Sequence, residues 1–178
     1  MFAVEIIPGV GVDMVKIGDR REVAESRLGA PVHPGRDRRA VYSSDPMLVV
    51  TYDADDIVEL VEASCSGQHG GEEIFFNGVQ LTCRFMDDVV ADLAALGHAG
   101  TPFDIGVSFE PGFAIFSMSS LRARDLDPDA SEDDARAVAE GVAIAPRAYF
   151  DYGPPADATP EELEAWLREQ GVLPAEAG

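Results

Sequence analysis

The feature that most constrains this chain is an internal echo. Gly11-Val12-Asp13-Met14 leads into Arg20-Arg21-Glu22-Val23-Ala24 and closes on Leu28-Gly29. Gly78-Val79-Gln80-Leu81 leads into Asp87-Asp88-Val89-Val90-Ala91 and closes on Leu96-Gly97, with one residue inserted before the end. The echo carries on downstream. Val50-Thr51-Tyr52-Asp53 followed by Ile57-Val58 is matched by Val107-Ser108-Phe109-Glu110 followed by Phe113-Ala114. Such self-similarity marks repeated supersecondary units, here a helix followed by an antiparallel hairpin or meander. A hairpin alone is marginal in water, so two units are expected to complete one sheet.

The predicted fold class is therefore α+β: two tandem helix plus antiparallel β-hairpin/meander units forming one sheet, with an extra C-terminal strand and helix. The half-units span about residues 1–66 and 72–120, and an extension over 121–150 completes a duplicated domain over 1–150. Residues 151–178 read as a linker, marked by Pro154-Pro155, and a C-terminal amphipathic helix.

Local signals fill in the elements. Residues 2–7 suit a strand that stops at Pro8-Gly9. Asp19 reads as an N-cap with Glu22 three residues on, and Gly29 with Pro31 ends that helix. Residues 40–43, 47–52 and 57–63 read as strands, the last two joined by the acidic turn 53–56. Residues 73–76 and 78–81 flank a tight turn at Asn77-Gly78, and Asp87 opens the second helix. Over 103–110 the chain alternates strictly, with Phe103, Ile105, Val107 and Phe109 on one face. That predicts one long strand returning through Pro111-Gly112. By correspondence, Thr51 and Asp53 take the places of Ser108 and Glu110, so a polar sheet face is expected in both halves. After Ser120 the echo stops. Residues 121–129 read as an acidic loop, 135–140 as a short helix, and 142–145 with 148–150 as a final strand broken at Pro146. Thr159-Pro160-Glu161-Glu162 is a strong helix start, with Leu163, Trp166 and Leu167 along one side.

Charge narrows the partners. The net charge is −20, and residues 1–40 are nearly balanced, so the acidity belongs to the rest of the chain. Such a surface repels nucleic acid and anionic lipid and speeds encounter with a basic protein. No apolar run approaches the ~18–20 residues of a membrane span. The opening residues lack a basic segment followed by an apolar one, so a soluble cytoplasmic protein is expected. Cys65 and Cys83 form no CxxC pair, so no metal site is expected, and in a reducing cytosol both should be free thiols.

Catalytic signatures are missing. Asp125-x-Asp127-x-Asp129-x-Ser131 has the odd-position oxygens of a calcium loop. However, Ala130 stands at the sixth position and Arg136 at the twelfth, where glycine and a bidentate glutamate are required. It reads as a solvated acidic loop. Gly9-Val10-Gly11 lacks the third glycine of a dinucleotide fingerprint, and His33, His69 and His98 fall in loops without partners at ligand spacing. No cofactor and no metal are expected. Turn and capping chemistry accounts for Asp53, Asp55, Asp56, Asp87 and Asp88.

The run Ile17-Gly18-Asp19-Arg20-Arg21-Glu22-Val23, followed by Leu28-Gly29-Ala30-Pro31, resembles the helix signature of the SmpA/OmlA and β-lactamase-inhibitor-protein superfamily. The likeness covers about residues 6–120 counting both copies. The second copy lacks the terminal proline, and no lipobox cysteine stands near the start. The resemblance implies a helix leading into a hairpin or three-stranded meander, often in tandem. It also implies a non-enzymatic binding scaffold, since some members inhibit an enzyme through the open face of their sheet.

Together these readings predict a non-enzymatic cytoplasmic protein-binding or inhibitor protein, immunity-like, that acts on a basic partner. The expected partner-binding residues are Thr51, Asp53, Asp55, Asp56, Ser108, Glu110 and Trp166. Two alternatives stand beside it: an enzyme using Asp53, Asp56 and Glu110, and a homo-oligomeric scaffold, such as a homodimer, paired through Trp166 and Leu163.

Overall fold

Two three-stranded meanders enter one sheet from opposite edges, and a late strand joins them. A computed structural model describes residues 3–33, 38–64, 73–151 and 159–169, with the side chains of 166–169 outside the described set. In the first half, α1 (Arg21–Leu28) precedes β4 (Arg39–Tyr42), β5 (Met47–Tyr52) and β6 (Val58–Ser64). In the second, α2 (Met86–Ala95) precedes β10 (Gly100–Phe103), β11 (Gly106–Phe109) and β12 (Phe113–Phe116). The strand β14 (Gly141–Ile144) lies between them, giving the order β10-β11-β12-β14-β6-β5-β4 with every neighbour antiparallel. Short pairs surround this sheet: β1 (Val4–Glu5) with β7 (Ile74–Phe76) and β8 (Val79–Gln80), β2 (Gly11–Val12) with β3 (Val15–Lys16), and β9 (Arg84–Phe85) with β13 (Val138–Ala139). The architecture is α+β.

Alternation assigns the two faces. Tyr42, Leu48, Val50, Tyr52, Val58, Val61, Ala63, Val142, Ile144, Ile115, Phe113 and Phe109 share one side, and all are buried. Against them pack Ala24 of α1, Met86, Val89 and Leu93 of α2, Val12 and Val15 of the small hairpin, and Ile6, Ile74, Phe76 and Leu81. A bulge between Thr51 and Tyr52 sets Tyr52 opposite Val58 while Thr51 faces Leu60. The extra residue keeps both apolar side chains inward.

The tyrosines Tyr42 and Tyr52 are fully buried and share a 2.7 Å hydrogen bond between their hydroxyls. The Arg21 guanidinium lies 4.0 Å from the centre of the Tyr52 ring and pairs with Asp56 at 2.7 Å. This ties the start of α1 to the β5–β6 turn.

Several local expectations change. The alternating run 103–110 is not one strand but the hairpin β10–β11, turning at Asp104-Ile105. Phe103 and Gly106 then become cross-strand partners, so Phe103 lies on the opposite face from Val107 and is 37% exposed. Pairing adds a ladder of backbone hydrogen bonds that an extended strand would leave unmade. Residues 135–140 form no helix. Asp134 accepts from the backbone N–H and the guanidinium of Arg136, so the carboxylate that would cap a helix is spent on a turn. Val138 and Ala139 instead pair with β9 and are buried. The final strand covers only 141–144 and sits mid-sheet, whereas Arg147–Phe150 after Pro146 is a 3-10 helix. Asp19 does not cap α1: its Oδ2 accepts from the Lys16 backbone and from Arg27. The acidic loop 121–129 contains the short helix α3 (Ala123–Leu126).

Other expectations hold. Asn77 and Gly78 both adopt positive φ, 50° and 78°, as a two-residue hairpin turn demands. α4 (Pro160–Glu169) begins with a capping box, Thr159 N donating to Glu162 Oε2 at 2.8 Å and Glu162 N to Thr159 Oγ1 at 3.3 Å. Those bonds hold the Glu162 carboxyl below its usual pKa, the backbone N–H contributing most.

Burial raises the pKa of both core tyrosines above the ordinary value, for Tyr42 against a lowering by its bond to Tyr52. The stability they contribute is therefore complete below about pH 10 and declines as pH rises past it, because the unfolded chain ionises there first. Tyr42→Phe or Tyr52→Phe alone should cost about 1–3 kcal/mol by stranding a buried hydroxyl, and the double variant less than the sum. Urea denaturation of the four proteins at pH 7 and above pH 10 checks both statements.

Candidate functional site

The sheet has a second face. Register places Arg39, Val41, Met47, Val49, Thr51, Leu60, Glu62, Ser64, Ala143, Gly141, Ala114, Phe116 and Ser108 on the side away from the core. The expected polar face is thus corrected: Val, Met, Leu, Ala and Phe dominate it, with Thr51, Ser108 and the Arg39–Glu62 pair among them. Gly141 is essential to its shape. A side chain there would meet the Phe116 ring at 2.3 Å, so the ring lies flat over the strand.

Thr51 and Ser108 do share this face, but four strand steps separate them, roughly 19 Å at ~4.8 Å per step. Asp53 and Glu110 lie beyond the strand ends. Since β5 and β11 run in the same direction, the turns 53–57 and 110–112 occupy the same end of the sheet. Asp53 Oδ1 accepts from the backbones of Asp55 at 2.8 Å and Ile57 at 2.9 Å, which makes it the organiser of its turn. Asp56 pairs with Arg21, Glu110 pairs with Arg147 at 2.6 Å, and Asp55 is exposed. The structure does not gather Asp53, Asp56 and Glu110 around a cavity. Trp166 belongs to α4, but its side chain lies outside the described residues, and Leu163 is exposed.

The open face holds a cavity of about 400 Å³, lined by residues that include Met47, Val49, Glu62, Phe116, Met118 and Glu140. Glu140, only 7% exposed, stands immediately before β14. Its Oε1 accepts from Ser120 N at 2.8 Å, Leu121 N at 3.0 Å and Ser117 Oγ at 3.3 Å. No donor reaches its Oε2 among the described residues. No fully buried side-chain oxygen or nitrogen there lacks a partner, so Oε2 is not sealed from solvent, and Glu140 lines the cavity. Sequence reasoning passed over Glu140, and a signal existed: it is the lone charge within Ala137-Val138-Ala139-Glu140-Gly141-Val142-Ala143-Ile144.

A second cavity of about 640 Å³ lies where the Asp104-Ile105 turn meets the 117–137 segment. Phe103, Ile105 and Leu121 give it apolar walls, and two of its three arginines are matched by acids. Arg124 lies 3.4 Å from Glu132, and Arg136 pairs with Asp134 and Asp127 while covering the Phe85 ring at 3.9 Å. The guanidinium of Arg136, by hydrogen bonding, holds the Asp134 carboxyl below its usual pKa. Two of the three calcium-like carboxylates are also spent, Asp127 on Arg136 and Asp125 on the Arg122 backbone at 2.7 Å. Among the described residues no three His, Cys, Asp or Glu side chains converge as metal ligands, and no helix is long and apolar enough to cross a membrane.

Cys83 is disulfide-bonded, which corrects the expectation of a free thiol. Cys65 and His69 lie outside the described residues. His98 packs against Phe76, ring centres 5.2 Å apart, and His33 bridges to Val41.

No family model, no curated protein and no solved structure matches this chain.

Asp53→Ala should cost about 1–2 kcal/mol, because two turn N–H groups lose their acceptor. Asp55→Ala should stay within about 0.5 kcal/mol, as for other exposed positions. Chemical denaturation of the two variants separates the structural acid from the merely exposed one.

Proposed function

We propose that this protein is a non-enzymatic binding or inhibitor protein, immunity-like, whose open sheet face engages a basic protein partner. The observation that carries the reading is a large sheet whose core side packs against α1 and α2 and whose other side, among the described residues, is mainly apolar. An apolar patch framed by charge marks an interaction surface more often than a bare surface. The net charge of −20 supplies the sign of the partner. Acidic turns at one end of the sheet, carrying Asp53, Asp55, Asp56 and Glu110, give the rim of the contact, and Thr51 and Ser108 its interior. Rim charges accelerate encounter, and the apolar floor sets the lifetime of the complex.

The tandem description and the superfamily likeness belong to the same proposal. α1 with β4–β6 and α2 with β10–β12 follow the same order of elements, which supports a duplicated unit. In that reading the C-terminal helix, with Leu163 exposed, is available to a partner or to a second copy. For the compartment, a disulfide at Cys83 supports an oxidising environment over the cytoplasm, where such bonds are rare.

A pull-down with the full chain across a salt series tests the function. The expected catch is a basic protein held at about 0.01 M salt and lost well above about 0.15 M, as the screening length falls from ~30 Å to ~8 Å. Thr51→Lys and Ser108→Lys should each weaken capture. A partner of no net positive charge, or capture indifferent to salt and to both variants, refutes the reading. Alkylation followed by mass spectrometry checks the disulfide: the denatured, unreduced chain should take up no label at Cys83, and the reduced chain should.

A further inference from the structure

We propose that the Glu140 cavity is a specificity pocket that receives one basic side chain of the partner, an alkyl stem ending in a cation. The inference rests on the open-face reading above and names what that face recognises.

Glu140 as a residue is 7% exposed, and its carboxylate is anchored through one oxygen by neutral donors only: two backbone N–H groups and a serine hydroxyl. Among the described residues no lysine, arginine or histidine pairs with it. Burying a carboxylate without a counter-charge is costly, so a cation delivered to its free oxygen would be favoured. Its second oxygen accepts no hydrogen bond among the described residues and is not sealed from solvent, and the residue lines the cavity. Beside it, Glu62 is already matched by Arg39 at 2.9 Å, which leaves Glu140 as the unmatched charge of the lining.

The walls suit the rest of a basic side chain. Met47, Val49, Phe116, Met118 and Leu121 offer apolar surface along which methylene groups can lie. Methionines adapt to the shape of a guest, and the Phe116 ring can face a cation. At about 400 Å³ the cavity falls within the ~300–1,000 Å³ of ordinary ligand pockets. An apolar sleeve ending in one oriented carboxylate selects against acids, which would meet Glu140, and against plain hydrocarbons, which would leave it unpaired.

The anchored oxygen also supplies the readout. Binding at Oε2 draws on the charge that Ser120 N and Leu121 N already share through Oε1, so those two amides report occupancy. The test titrates the full, isotope-labelled chain with N-acetyl-arginine-methylamide, N-acetyl-lysine-methylamide and N-acetyl-norleucine-methylamide. One or both cationic probes should shift the Ser120 and Leu121 amide resonances and saturate, and the norleucine probe should not. Glu140→Gln keeps an acceptor oxygen for the loop and removes only the charge. It should weaken the cationic probe by at least about tenfold, as expected for losing one partner of a buried charge pair. Met118→Lys, at a position 64% exposed, introduces a competing cation at the cavity and should also weaken binding.

Equal shifts from norleucine, or full affinity in both variants, overturn the pocket. The two proposals fail separately. A basic partner still captured by Glu140→Gln as by the wild type refutes the pocket and leaves the face standing. Charge-dependent probe binding with no basic partner in the salt series supports the pocket's chemistry and refutes the reading of the face.

Discussion

One four-residue strand holds the molecule together as a single sheet. Gly141–Ile144 exchanges backbone hydrogen bonds with β12 on one side and with β6 on the other. Without it, each meander would end in an unpaired inner edge, a template for unwanted pairing. Its side chains serve both layers. Val142 and Ile144 complete the core between Ile115, Phe113, Val61 and Ala63, while Gly141 and Ala143 keep the opposite face shallow enough for the Phe116 ring. A larger residue at 141 would lift that ring and fill the open side.

The way the chain enters this strand explains the site. The Glu140 backbone N–H donates to the Phe116 carbonyl at 2.8 Å, which extends the ladder by one step. Its side chain is thereby turned toward the 117–121 corner, where two backbone donors wait. The carboxylate therefore fixes the corner and faces the cavity from a position the strand pairing dictates. The strand pairing fixes the backbone of Glu140, and the 117–121 loop supplies the bonds that orient its carboxylate.

Much of the scaffold was legible in the sequence, because the signals there are local. The Asn77-Gly78 turn, the strands around 47–52 and 58–64, and the capped C-terminal helix each declare themselves within a few residues. The hairpin at Asp104-Ile105 did not, because Phe103, on the face opposite Val107, is itself apolar, so the alternation runs on through a two-residue turn that reverses its phase. The central place of β14 was equally hidden, since sequence proximity gives no account of which strand fills a gap between two others. At the site, Asp53, Asp56 and Glu110 stood out as acids in turns, and their chemistry is mostly internal: two turn amides, Arg21 and Arg147. Glu140 escaped notice since charge counting looks for clusters, while this residue matters by being solitary among apolar neighbours.

The two kinds of acid differ in what a partner would sense. The exposed turn carboxylates act at a distance through water, their attraction is screened by salt, and individually each contributes little. A buried carboxylate is weakly screened and demands a counter-charge in contact. A face that combines them separates attraction from selection. In the proposed complex the surplus negative charge would draw basic proteins of many kinds, and Glu140 would admit those that can deliver a side chain of the right length to the edge of the central strand. On that proposal the acidity of the chain would govern how a partner arrives, and the β12–β14–β6 junction which one stays.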